Sequence, residues 1–144
     1  MKKIVGLLII MLFLISFTKT VDNKYSLEGT WELVDRYNYD GINVTDTLLN
    51  SNGYQQVKIY SKGKVMWTRY SPNDPAEWFG YGDYKVKDEV LEERLQFGSK
   101  TMMKIRDTVE VFNFKLQLEA NYYKQITLDD SGNPIFSENY KRID

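Results

Sequence analysis

The sequence predicts an all-β protein, an eight-stranded antiparallel up-and-down barrel that follows an N-terminal signal peptide. Three observations lead there. From Val21 onward no stretch keeps a helical period, and short segments alternate apolar and polar residues instead. Turn-forming residues, such as Lys62-Gly63 and Asp130-Ser131-Gly132-Asn133, separate those segments at hairpin spacing. Eight strands in meander order remove their exposed edges most simply by closing on one another.

The first element is an address. Met1-Lys2-Lys3 is a basic start, Ile4 to Phe17 is apolar apart from Gly6 and Ser16, and Thr18-Lys19-Thr20 is polar. That order describes a secretory signal peptide, here residues 1–20. A membrane anchor needs roughly 20 apolar residues, more than this run supplies. Ser16/Thr18 or Thr18/Thr20 would serve as the small-residue pair at cleavage. The chain holds no cysteine, so lipoprotein processing is excluded. The expectation is an exported protein, periplasmic or secreted, with no membrane span after cleavage and with residues 21–144 as one domain.

Composition narrows the partners. Cleavage removes Lys2, Lys3 and Lys19 from 19 basic residues, leaving 16 against 20 acidic ones, a balance of −4. A mildly acidic surface without a basic stretch argues against nucleic acid as a partner. Without cysteines no disulfide framework exists, so stability must come from packing, and 11 tyrosines provide large rings for it.

Strands are expected at about 28–39, 55–61, 64–70, 80–87, 90–97, 108–118, 122–129 and 135–143. The hairpin around Lys62-Gly63 pairs Ile59 with Met66 and Val57 with Thr68 on one face, and Tyr60 with Val65 and Lys58 with Trp67 on the other. Neither face is decisively polar; the first, with Tyr70, is taken as inward. The hairpin around Asp88-Glu89 aligns by its charges. Lys85 meets Glu92 and Asp83 meets Arg94 on a solvated face, while Val86, Leu91, Tyr84, Glu93, Leu95 and Phe97 point inward. Glu93 stands out, because a carboxylate on an apolar face needs a partner, and Tyr84 lies opposite it. Phe112, Phe114, Leu116 and Leu118 alternate into the core. A two-residue loop at Ala120-Asn121 sets Tyr123, Gln125 and Thr127 against them; a three-residue loop sets Tyr122, Lys124, Ile126 and Leu128 there instead. In the loop from Asp40 to Tyr54, Thr45 or Asp46 can cap a helical turn through Leu48-Leu49, as a lid. A second loop, from Ser71, ends in Trp78 and Phe79. The four apolar residues Leu48, Leu49, Trp78 and Phe79 would form a portal rim, although Trp78 and Phe79 can equally cap the core.

The first strand reads Leu27-Glu28-Gly29-Thr30-Trp31-Glu32-Leu33-Val34 and the last Glu138-Asn139-Tyr140-Lys141-Arg142-Ile143. Together they resemble the lipocalin and wider calycin families over about residues 27–143. The run Lys58-Ile59-Tyr60-Ser61-Lys62-Gly63-Lys64-Val65-Met66-Trp67 is similar to small exported bacterial lipocalin-like proteins. The resemblance implies that Gly29 and Trp31 close the barrel base and that Arg142 packs on the indole, a cation–π contact worth roughly 0.5–2 kcal/mol. The loop after the first strand is shorter than in animal lipocalins, and their usual disulfide is missing.

The chemistry available is limited. With no histidine and no cysteine, Ser-His-Asp catalysis, thiol nucleophiles and the usual zinc sites are absent. Glu92 and Glu93 point to opposite faces of a strand and cannot act as an acid–base pair. Asp129-Asp130-Ser131-Gly132-Asn133 lacks the remaining ligands of a calcium loop and reads as a β-turn. No enzyme activity, cofactor or metal is expected. What is left is binding: a small apolar or amphipathic molecule held inside the barrel, against Met66 and Phe114 and oriented by Tyr37, Tyr70, Tyr84, Tyr140, Glu93 and Gln125. The alternative is a barrel filled by its own rings that acts through its surface, as an inhibitor or an envelope interaction module.

Overall fold

Segments rich in β-branched and aromatic residues pair into nine antiparallel strands in a computed structural model, which describes residues 24–51 and 53–144. The strands are β1 (Gly29–Tyr39), β2 (Val44–Leu49), β3 (Gln55–Ser61), β4 (Lys64–Tyr70), β5 (Trp78–Lys87), β6 (Val90–Gly98), β7 (Val111–Leu118), β8 (Tyr122–Leu128) and β9 (Pro134–Arg142). One helix, α1 (Lys100–Arg106), lies between β6 and β7. Each strand from β3 to β9 pairs with the next, and β9 returns to β1, so the sheet closes into a barrel. The expected signal peptide lies outside the described residues.

β1 explains the ninth strand. One of its edges pairs with β9 from Trp31 to Asn38; the other pairs with β3 over Gly29–Glu32 and then with β2 over Asp35–Tyr39. The segment expected to carry a helical lid at Leu48-Leu49 is therefore a hairpin. Asp40 accepts hydrogen bonds from the amides of Ile42 and Asn43 and makes its turn, and the alternation Val44-Thr45-Asp46 suits a strand. Helix α1 was not visible as a period because seven residues make barely two turns. Ser99 caps it by accepting from the Met102 amide.

The other hairpins follow their turns. Lys62-Gly63 and Asp88-Glu89 all adopt left-handed φ, which matches strand twist in two-residue turns. The charge-aligned register holds from Lys87↔Val90 to Asp83↔Arg94. Beyond it the register slips, so that Gly82 faces Leu95 and Tyr81 faces Phe97. A Cβ at Gly82 would sit 1.9 Å from the Arg94 carbonyl oxygen, so this bulge needs glycine. The slip overturns one expectation: Phe97 turns outward and is 55% exposed. Ala120-Asn121 is a two-residue loop, with Leu118 opposite Tyr123 and Leu116 opposite Gln125.

The core fills one end of the barrel. Trp31 is fully buried, with Leu33, Tyr60, Leu91, Leu116, Tyr123 and Tyr140 around it. Tyr123 meets the indole edge-on at 4.9 Å, and the Arg142 guanidinium covers it at 4.2 Å. Arg142 also donates to the carbonyls of Ser26, Glu28 and Ala120, tying the chain before β1 to the β7–β8 turn. At Gly29, with φ at +135°, a Cβ would lie 2.1 Å from Arg142 Nη1. The glycine of the first-strand motif leaves the space that the arginine occupies.

Candidate functional site

Above the ring cluster the interior becomes polar, because alternation on four strands brings charged and amide side chains inward. β3 contributes Gln56 and Lys58, β6 Glu93, β8 Gln125 and β9 Glu138. Lys58 is 3% exposed and forms an ion pair with Glu93 at 2.8 Å. Its ammonium also donates to Gln125 at 2.8 Å and is ringed by Tyr60, Phe114 and Tyr140 at 5.7–5.9 Å from their centroids. Glu93 accepts a further bond from the Tyr60 hydroxyl at 2.5 Å. A buried charge is tolerable only when it is paired and its remaining valences are bonded, and both conditions are met here.

A second carboxylate extends the network toward the open end. Glu138 accepts from Gln125, Gln56 and the Tyr140 hydroxyl, and Gln56 in turn accepts from Tyr54. Burial, reinforced by the nearby Glu93 or Glu138, pushes the hydroxyls of Tyr60, Tyr123 and Tyr140 well above the ordinary phenol range. All three remain neutral, and Tyr60 and Tyr140 serve the carboxylates as donors.

This network floors a cavity of about 140 Å³. Its walls are apolar (Trp67, Leu95, Phe112 and Phe114), and Met102 of α1 reaches in from the open end. Arg69 stands at that end with its guanidinium stacked 4.0 Å over Trp78, whose indole N–H donates to Asp74. The volume is close to that of an engineered apolar cavity that admits benzene, about 150 Å³. It suits a compact molecule and is too small for a long acyl chain.

The expected site residues divide into three groups. Glu93, Phe114 and Gln125 line the cavity, as the strand alternation required. Tyr140 and Tyr84 are interior but sit in the ring cluster, where Tyr84 packs against Tyr60 at 4.9 Å and Tyr140 supports Glu138. Three others require correction. Met66 and Tyr70 point outward, 51% and 61% exposed, because β3 and β4 turn the opposite face inward. The mixed hairpin hid this: Lys58 reads as a surface residue until its partners on β6 and β8 are in view. Tyr37 faces out beneath the Lys124 ammonium, because a bulge between Leu33 and Asp35 reverses the alternation of β1 and turns Arg36 inward.

The portal rim does not assemble as expected. Leu48 and Leu49 lie on β2 opposite Arg36 and Asp35, and Trp78 carries Arg69 at the mouth. Phe79 instead joins Val57, Ile59, Met66 and Phe97 in an apolar patch on the outer wall. Among the interior residues that sequence reasoning missed are Gln56, Lys58, Trp67, Arg69, Met102 and Glu138. Glu93 on an apolar face was the available signal, since it demanded a buried cation. The Asp129 carboxylate is bonded by the amides of Ser131 and Asn133 and makes a turn; among the described residues no acidic cluster is arranged to hold a metal.

No family model matches the chain, and no curated protein does. The crystal structure of an uncharacterized protein from Bacteroides eggerthii is similar, with a TM-score of 0.52 at 15% sequence identity. The match covers 82% of this chain and 100% of that one. At this identity the likeness shows a shared fold.

Proposed function

We propose that this is an exported, lipocalin-like barrel that binds a small amphipathic molecule in its interior and performs no catalysis. The observation that carries the reading is the asymmetric cavity, with apolar walls above a floor of bonded polar groups. An apolar wall rewards a ligand's body by removing it from water, and fixed polar groups select its orientation. A purely structural core would have no need for a buried Lys58–Glu93 pair, which is at best neutral for stability against apolar residues of equal size. Export rests on residues 1–20.

A second reading has its own observation. The outer patch of Val57, Ile59, Met66, Phe79 and Phe97 would suit a protein partner, with the barrel acting through its surface. Chemical-shift mapping with benzyl alcohol, a compact neutral amphipath, separates the two. Interior binding moves the resonances of Trp67, Leu95 and Phe112, and Met102→Trp, which fills the cavity, abolishes the shifts. Shifts confined to Ile59, Met66 and Phe97 would overturn the interior reading in favour of the surface.

A further inference from the structure

We infer that the ligand is a monoanion, a small carboxylic acid with a ring-sized apolar body, and that Arg69 receives its carboxylate at the mouth of the cavity. The inference rests on the interior-binding reading and deepens it.

The charges at the open end of the interior do not cancel. Lys58 and Glu93 neutralise one another. Arg94 contributes to the wall, but its guanidinium is 3.6 Å from Glu110 on the exposed side. That leaves Glu138 and Arg69 on the cavity lining, with Arg36 beside them, inward on β1 opposite Glu138 in the strand pairing. Among the described residues neither guanidinium is in an ion pair; each is stacked on a ring, Arg69 on Trp78 and Arg36 on Tyr54 at 4.7 Å. Arg36 Nε is buried with no acceptor at all. An unpaired buried donor is costly, and two cations against one carboxylate leave the mouth one negative charge short.

Glu138 keeps its negative charge, but its oxygens are engaged by Gln56, Gln125 and Tyr140 inside the barrel, and Arg69 and Arg36 together outnumber it. The same charge balance argues against a cationic ligand. Glu93 is already neutralised by Lys58, so an incoming ammonium would meet one free carboxylate charge and two guanidiniums. A planar carboxylate fits a stacked guanidinium in bidentate geometry, and stacking on Trp78 holds that plane in place. Behind it, Trp67, Phe112 and Phe114 offer flat apolar surface at the scale of one ring.

Calorimetric titration of the purified protein with benzoate, benzamide and benzylamine tests this. The three probes share a ring and differ in charge. Benzoate should bind at least ~10-fold more tightly than benzamide, the ratio expected between charged and neutral hydrogen bonds, with benzylamine weakest. Arg69→Gln should remove the preference for benzoate, so that the benzoate-to-benzamide affinity ratio falls from ~10-fold to within about 2-fold whatever the absolute affinities become. Equal binding of benzoate and benzamide, or tightest binding of benzylamine, would overturn the anion assignment while leaving the interior site in place. No binding of any probe, together with no benzyl alcohol shifts in the interior, would overturn both.

Discussion

Glu93→Ala should lower the unfolding free energy by about 3–5 kcal/mol, because it leaves the Lys58 ammonium buried without its counter-charge. Lys58 is only 3% exposed, and its other acceptor, Gln125, is neutral. The three rings around the ammonium offset part of the loss, since cation–π contacts strengthen when desolvated, but they cannot supply a hydrogen-bond acceptor. The Lys58→Met/Glu93→Leu double variant should recover most of the stability, since paired apolar replacements of similar volume commonly match or exceed a buried ion pair. Denaturant midpoints of the two variants check this. Equal destabilisation of single and double variants would mean that packing volume, and not charge, holds this layer together. The double variant also bears on function: if the pair exists for binding, it folds normally and loses ligand.

Trp31→Ala should cost about 3–5 kcal/mol, the usual range for a buried aromatic that leaves a void. The indole has no exposed surface, donates its N–H to the Leu27 carbonyl at 2.8 Å, and is covered by both Arg142 and Tyr123. Arg142→Ala should cost less. Its effect should shrink when Trp31 is already absent, because one contact is shared between them. A Trp31→Ala protein that melts like wild type would contradict the plug. Costs that simply add would contradict the coupling.

How much of this was legible in the sequence depended on where the alternation ran unbroken. The Asp88-Glu89 hairpin was readable from its turn out to the Asp83↔Arg94 pair, since opposite charges on one face and apolar side chains on the other admit one register. The base was readable too, because Gly29, Trp31 and Arg142 carry a motif with a physical job. Failures cluster at irregularities. Bulges at Val34 and Gln96 reversed the facing of Tyr37 and Phe97, and single-residue slips of this kind leave no mark in a period of two. The β3–β4 hairpin failed for another reason. Its inward face carries Lys58, which becomes acceptable inside only through Glu93 and Gln125, 35 and 67 residues away in the chain. Pairings that distant are decided by closure of the barrel, and no local pattern announces them. The added strand β2 and the short helix α1 were missed because each is near the lower limit of length for a recognisable pattern.

The most direct test of interior binding is native mass spectrometry of the protein purified from its own host, before and after organic extraction. The account predicts a discrete added mass of one small organic molecule, lost on extraction and absent from the Met102→Trp variant. A bare chain of identical mass before and after extraction would contradict it and turn attention to the outer wall around Ile59, Met66 and Phe97.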